Sequence, residues 1–279
     1  LERTQAEEQL IKANKAYKAL SLSGQAVITA RSESELLREA VRIVHEVCGY
    51  SLVWAGFAEH DAAKTVSMAA QAGDADGYLD TVRITWDTSE LGCGPTGTAI
   101  RTRKPVINHN TRTTPSLAPW RDRQIQQGYL SSAAFPLLAG EEILGALTVY
   151  APTFDAFTDE ETRLLMELSS NLAYGIVFMR MDKDRRQAAE ILRTSNARLD
   201  ILSETASQLL KTDSPQQVIE RLCSRVMAFL DCQAFFNFLV DEKRGQLHLN
   251  ACAGIPPEEA AKIEWLDYGI AVCGCAARD

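Results

Sequence analysis

The chain has 279 residues, 46% of them hydrophobic and 24% charged, with a formal net charge of −8. That length allows about two domains, and the apolar share is enough for a packed core. The acidic balance offers no basic stripe for nucleic acid, and no apolar run reaches the eighteen or so residues of a membrane span, so neither nucleic acid nor direct membrane contact is expected.

Residues 1–31 read as a helix, with Ala6, Leu10, Ala13, Tyr17 and Leu20 on one narrow stripe suited to pairing with another helix. Residues 32–48 read as a second helix. Ser32 and Glu35 form a capping box, Leu36, Leu37, Ala40, Val41, Val44 and Val47 form a wider apolar face, and Gly49 ends it. Strand signals follow at Tyr50–Glu59 and Lys64–Ala72, with a short candidate at Arg83–Asp87. Gly94, Pro95 and Gly97 break the chain where a short helix at Thr96–Thr102 begins, and Pro105–Asn108 is a candidate strand. Residues 110–128 are polar and hold a short helix. Ser131–Leu138 and Ile143–Ala151 form a hairpin, in which Gly145 marks a close backbone approach.

Thr158, with Glu161 three residues on, then caps a helix that continues without proline to about Lys211. Leu165, Leu168, Leu172, Gly175 and Met179 line one stripe. Asp182–Arg186 interrupts it, and Leu192, Ser195, Leu199, Leu202, Ala206 and Leu209 resume with steps of three and four. About fifty residues of helix span about 75 Å, more than one domain needs, and the spacing reads as a dimer stalk. The element order implies an α+β fold with a mostly antiparallel sheet flanked by helices and long, coiled-coil-like connecting helices.

The chain also repeats itself. Ser32–Phe57 aligns with Ser214–Leu239 at an offset of 182, and further on Gly92-x4-Gly97-Thr-Ala-Ile-Arg101 matches Gly269-x4-Gly274-Cys-Ala-Ala-Arg278. The second copy stops mid-domain, which is expected of a piece of a longer modular protein, and its shortened sheet should leave an exposed edge. There is no initiator Met and no signal-peptide pattern, so a cytoplasmic location is expected. Seven cysteines at irregular spacing, without paired CxxC motifs, read as reduced thiols rather than a metal site.

The first domain resembles a GAF domain of bacterial sensor histidine kinases. The resemblance rests on Trp54-Ala-Gly-Phe-Ala-Glu59, Gly92-Cys-Gly-Pro-Thr-Gly-Thr-Ala-Ile-Arg101, Pro105-Val-Ile, Ala118-Pro-Trp-Arg121, Gly128-Tyr-Leu-Ser-Ser132, Pro136-Leu and Leu144-Gly-Ala-Leu-Thr-Val-Tyr150. The opening Glu2–Glu8 resembles the helix that leaves a PAS domain. The resemblance implies a signalling helix at 1–19, a complete GAF domain at 20–180, a helical linker at 181–200 and the N-terminal part of a second, truncated GAF domain at 201–279. It implies a parent arranged as PAS, GAF, GAF and an output domain, first a histidine kinase and second a diguanylate cyclase.

In such domains a small molecule lies between the sheet and its covering loops. Carried onto this chain, the cover at 76–128 offers Trp86, Asp87, Cys93, Thr96, Thr98, His109, Trp120 and Arg121, and the sheet offers Trp54, Tyr129, Ser131 and Ser132. The competing reading is a filled core in a domain that only dimerises. Arg101, Arg103, Lys104, Arg112, Arg121 and Arg123 place positive charge near the cover, as phosphate recognition needs and as a solvated face also has. Cys93, flanked by glycines, reads as an inert exposed thiol or a redox sensor. A free-methionine-sulfoxide reductase needs several cooperating cysteines, and the first domain has only Cys48 and Cys93. No Cys-His pair exists for a bilin, and haem ligation by His109 or His45 is not expected, so the effector's identity stays open.

The functional expectation is a sensory and dimerising module without catalytic residues of its own. The partners expected are a second copy through the helices, the output domain of the same chain, and a response regulator for the parent.

Overall fold

The computed structural model of the chain describes residues 2–73, 77–211 and 215–278. Ser214, the repeat partner of Ser32, and the side chains of Ala6, Ala206, Leu209 and Val218 lie outside the described residues. The backbone divides into two units, residues 1–184 and 185–279. Among the described residues, no helix is long and apolar enough to cross a membrane.

The first unit opens with α1 (Glu2–Thr29) and α2 (Glu33–Ile43), which runs into a π-helical turn at Val44–Cys48. Ser32 caps α2 by accepting from the Glu35 N–H at 3.2 Å, while the Glu35 carboxylate accepts from the Arg31 N–H at 2.9 Å. Gly49 closes the π turn with a φ of 79°. There follow β1 (Leu52–Ala58), β2 (Val66–Ala72), α3 (Pro95–Thr102), β3 (Val106–Asn108), α4 (Arg121–Gln126), β4 (Ser131–Ala139), β5 (Glu142–Ala151) and α5 (Asp159–Lys211). The strands form one antiparallel sheet in the order β2-β1-β5-β4-β3. Arg83–Asp87, a candidate strand in the sequence, forms only an isolated bridge, Thr85 to Thr65 just ahead of β2.

Strand alternation divides the sheet's two faces. Val53 and Ala55 of β1, Phe135 and Leu137 of β4, and Leu147 and Val149 of β5 join the main core with α2 and α5. Leu52, Trp54 and Tyr150 point the other way, into a second cluster with Tyr78 and Tyr129. Gly145 sits opposite Phe57, and a Cβ there would press on the Gly56 carbonyl oxygen well inside contact distance. The close approach expected from the sequence is therefore present.

On α1 the stripe read from the sequence differs from the one the fold buries; on α5 the first stripe read is buried. On α1 the buried positions are Ala16, Ala19, Ser23 and Ala26, whereas Leu10 and Tyr17 are largely exposed. Small residues let α1 lie close, and Val27 would meet a Cβ at Gly175 of α5. On α5 the stripe Leu165, Leu168, Leu172 is fully buried in the domain's own core, with Met179 packed at its edge. The capping box at Thr158 and Glu161 is formed, with the Glu161 N–H donating to Thr158 Oγ1 at 3.2 Å.

The second unit contains the C-terminal part of α5, then α6 (Pro215–Leu230), β6 (Phe235–Asp241), β7 (Gln246–Ala253), α7 (Pro257–Lys262), β8 (Trp265–Asp267) and α8 (Ala271–Arg278). Its strands pair in the order β6-β7-β8. Local features of the first unit recur here. The β1–β2 register shifts between Ala55 and Gly56, and the β6–β7 register shifts between Asn237 and Phe238, 182 positions on. Gly73 and Gly254 both have positive φ, and a Cβ at either would meet the carbonyl oxygen of Ser51 or Gln233, again 182 apart.

Candidate functional site

The outer face of the sheet is covered by the segment between β2 and β4. Its centre is a trio of tyrosines. The Tyr78 ring stands edge-on to Tyr129 and Tyr150, with centroids 5.5 and 5.9 Å away, and Tyr129 and Tyr150 are tilted at 5.1 Å. Such edge-to-face arrangements are favoured by the ring quadrupole. Burial, and then the neighbouring Tyr78, push the Tyr150 hydroxyl well above the ordinary phenol range, so it stays neutral.

Beside the trio lies a small cavity of about 10 Å³, about enough for one water. Tyr150 and Tyr78 form one wall. Gly94, Pro95 and Thr96, where α3 begins, form another, and Trp120 and Gln124 of the α4 segment close it. The Gln124 Nε2 donates to the Tyr78 hydroxyl at 3.0 Å, whereas its Oε1 is buried and without a partner. Thr96 and Thr148 share a hydroxyl hydrogen bond at 2.9 Å. No Asp, Glu, Lys, Arg or His lines the cavity.

Among the residues expected at the site, Thr96 and Trp120 line this cavity, while Trp54 and Tyr129 back it in the aromatic cluster. The others are committed elsewhere. Trp86 donates from Nε1 to the Glu59 carbonyl at 2.8 Å, with Lys64 Nζ 4.7 Å from its ring centre. Asp87 accepts from the Ser89 hydroxyl at 2.6 Å and the Thr85 hydroxyl at 2.8 Å, which hold its carboxyl below the usual range. Thr98 Oγ1 donates to the Cys93 carbonyl at 3.2 Å. Arg121 donates to the Thr114 carbonyl at 2.8 Å, and Ser131 to the Thr153 carbonyl at 2.7 Å. Ser132 Oγ accepts from Asn108 at 3.4 Å. His109 is exposed and pairs with Asp155 at 3.2 Å.

The guanidinium of Arg101 folds inward. It donates to the carbonyls of Asp87 and Gly92, the latter at 2.5 Å, and to Thr98 Oγ1 at 3.2 Å. It therefore fastens the 87–92 loop instead of meeting a phosphate. Cys93 lies outside the cavity, in an open surface cleft with Thr88, Glu90, Pro115 and Pro119. Cys48 is partly buried, and burial, then the Glu161 charge, push its thiol up to about 12, so it is an unreactive thiol near neutrality. Among the described residues, no group of three or more His, Cys, Asp or Glu side chains is placed to hold a metal ion.

Sequence reasoning missed Tyr78, Gln124 and Tyr150. Tyr150 was discoverable, because Leu147 and Val149 face the core and strand alternation turns Thr148 and Tyr150 toward the cover. Tyr78 and Gln124 lie in irregular or short elements with no such period.

Comparison with known proteins places this geometry. No curated protein matches the chain. Among solved structures, the free methionine-R-sulfoxide reductase of Neisseria meningitidis is similar at a TM-score of 0.52 and 17% identity, covering 61% of this chain and 93% of that one. The GAF domain of a phosphoenolpyruvate-protein phosphotransferase from Coxiella burnetii is similar at 0.50 and 19%, covering 62% and 98%. At these identities the likeness is one of fold. The family model for the GAF domain matches residues 30–177, more than half of the chain, and the chain belongs to the GAF domain family.

Proposed function

We propose that this chain is the sensory and dimerising part of a cytoplasmic signalling protein, with a small-molecule effector taken by the first GAF domain and a second GAF copy beginning near residue 201. The parent's output is first a histidine kinase acting on a response regulator, and second a diguanylate cyclase. In this reading the residues of the chain are not catalytic, and the long helix carries the bias set by the first domain.

The observation that carries the reading is an outward apolar stripe on α5. Tyr174, Phe178 and Met181 are 57%, 71% and 65% exposed, on the side opposite the buried leucines. Steps of four and three from Met181 lead through Arg185 and Ala188 to Leu192, Ser195, Leu199 and Leu202, of which the three leucines are exposed. Apart from Arg185 and Ser195, this seven-residue spacing of apolar side chains suits a second helix of the same kind. The dimer stripe thus proposed lies one face away from the one containing Leu165, Leu168 and Leu172.

Sedimentation tests this. The wild-type chain should be a dimer, and Tyr174→Glu combined with Phe178→Glu should be a folded monomer. A dimer of unchanged strength in the double variant would reject the stalk. The small cavity favours one second reading, a GAF domain that dimerises without any effector, and sedimentation with and without ligands separates the two.

A further inference from the structure

Two spaces of very different size meet adjacent residues of the same two loops. Cys93 and Pro119 line the open cleft of about 490 Å³, and the next residue of each loop, Gly94 and Trp120, lines the cavity of about 10 Å³. The Trp120 indole rests on Gly94, where a Cβ would meet the ring at 2.6 Å. Glycine is needed there because the ring occupies the space of a side chain.

We infer that the Trp120 indole is a removable plug, and that the cavity it closes takes an uncharged planar ring bearing a hydrogen-bond donor. This inference rests on the sensory reading above and names the ligand class of the same site.

Three observations carry it. First, the plug itself is a flat neutral ring, 7% exposed, so its displacement frees a slot of that shape between Gly94 and the Tyr78–Tyr150 wall. Second, Gln124 is 2% exposed and presents an unpartnered amide oxygen in the cavity. A buried polar atom left without a partner is costly, and a ligand N–H or O–H removes that cost. Third, the walls carry no ionised side chain; Arg101 is turned to backbone carbonyls, and Arg121, which donates to the Thr114 carbonyl but keeps a buried unpartnered Nε, lies outside the lining. An anion or a zwitterion would lose its hydration there with no countercharge to replace it. The cleft outside gives the ligand a place to land before the ring moves.

Matched pairs that differ only in charge test the inference. Benzamide against benzoate, and nicotinamide against nicotinate, are titrated into the wild-type chain and Trp120→Ala by ligand-observed NMR, with circular dichroism confirming that the variant folds. Trp120→Phe serves if alanine does not. Both amides should bind, at least about tenfold more tightly than their acids. They should bind more tightly to the variant than to the wild type, and Gln124→Leu should weaken both amides by removing the acceptor for their N–H. Acids bound as well as amides would overturn the ligand class while leaving the sensory reading intact. No binding of any of the four to either protein would overturn both, leaving the ligand-free dimerising module.

Discussion

The Tyr50 hydroxyl donates to Glu161 at 2.6 Å, joining residues 111 positions apart in a buried contact. Tyr50 lies between the π turn and β1, and Glu161 is in the first turn of α5, where its other oxygen accepts from the Thr158 N–H at 3.4 Å. The bond therefore ties the start of the long helix to the sheet. Tyr50→Phe would leave a buried carboxylate oxygen without its donor, at a cost of about 1–3 kcal/mol. Glu161→Gln keeps an acceptor and should cost less. Denaturant melts of the two variants check the order.

Alkaline pH should weaken the fold. Burial, then the charge of Glu161, hold Tyr50 well above the ordinary phenol range, Tyr150 is raised likewise, and Cys48 is raised to about 12. In the unfolded chain a thiol ionises near about pH 8.5 and a phenol near about pH 10. Above those values the unfolded chain binds fewer protons than the native one, so stability falls as pH rises. The contribution is complete below about pH 8 and is lost through the range from about 9 to 12 and beyond. Melting temperature against pH should show this slope, and Tyr150→Phe and Cys48→Ala should each flatten it.

Gly145→Ala should destabilise the first domain by about 1–3 kcal/mol or more, because the new methyl group would strike the Gly56 carbonyl on the paired strand. Gly140→Ala in the hairpin turn meets nothing within 4 Å, so only its φ of 60° opposes the substitution, and it should cost less. Thermal melts of the pair distinguish backbone collision from turn strain.

The two faces of α5 should respond differently to truncation. Leu168 is fully buried, so Leu168→Ala should cost about 2–5 kcal/mol. Phe178 is 71% exposed, so Phe178→Ala should change monomer stability by no more than about 0.5 kcal/mol. Chemical denaturation at low protein concentration checks both.

The sheet was legible because its signals are local. The hairpin of β4 and β5, the capping boxes at Ser32 and Thr158 and the approach at Gly145 each follow from a few neighbouring residues. Which faces of the long helices turn inward was not. Leucine and tyrosine on α1 mark the outward face, because what packs inward is Ala16, Ala19, Ser23 and Ala26, and small residues do not stand out by hydropathy. On α5, apolar residues occur on two faces, and spacing alone does not say which one the sheet covers. Trp86, Asp87 and Thr98 have side chains suited to ligand binding, yet their partners are carbonyls and hydroxyls of their own or nearby loops. Those partners depend on loop conformation, which residue type does not encode.

The interleaving of inward and outward letters on α5 has a consequence for divergence. Leu165, Leu168 and Leu172 are held fixed by the core, whereas Tyr174, Phe178 and Met181 touch little within their own domain beyond the Gly140 N–H, which the Tyr174 hydroxyl accepts at 3.1 Å. In the dimer proposed above, drift at the outward positions would change which helices recognise one another while the domain continues to fold. Related chains sharing a cell would then be insulated from one another at a few exposed positions, with the domain's interior unchanged.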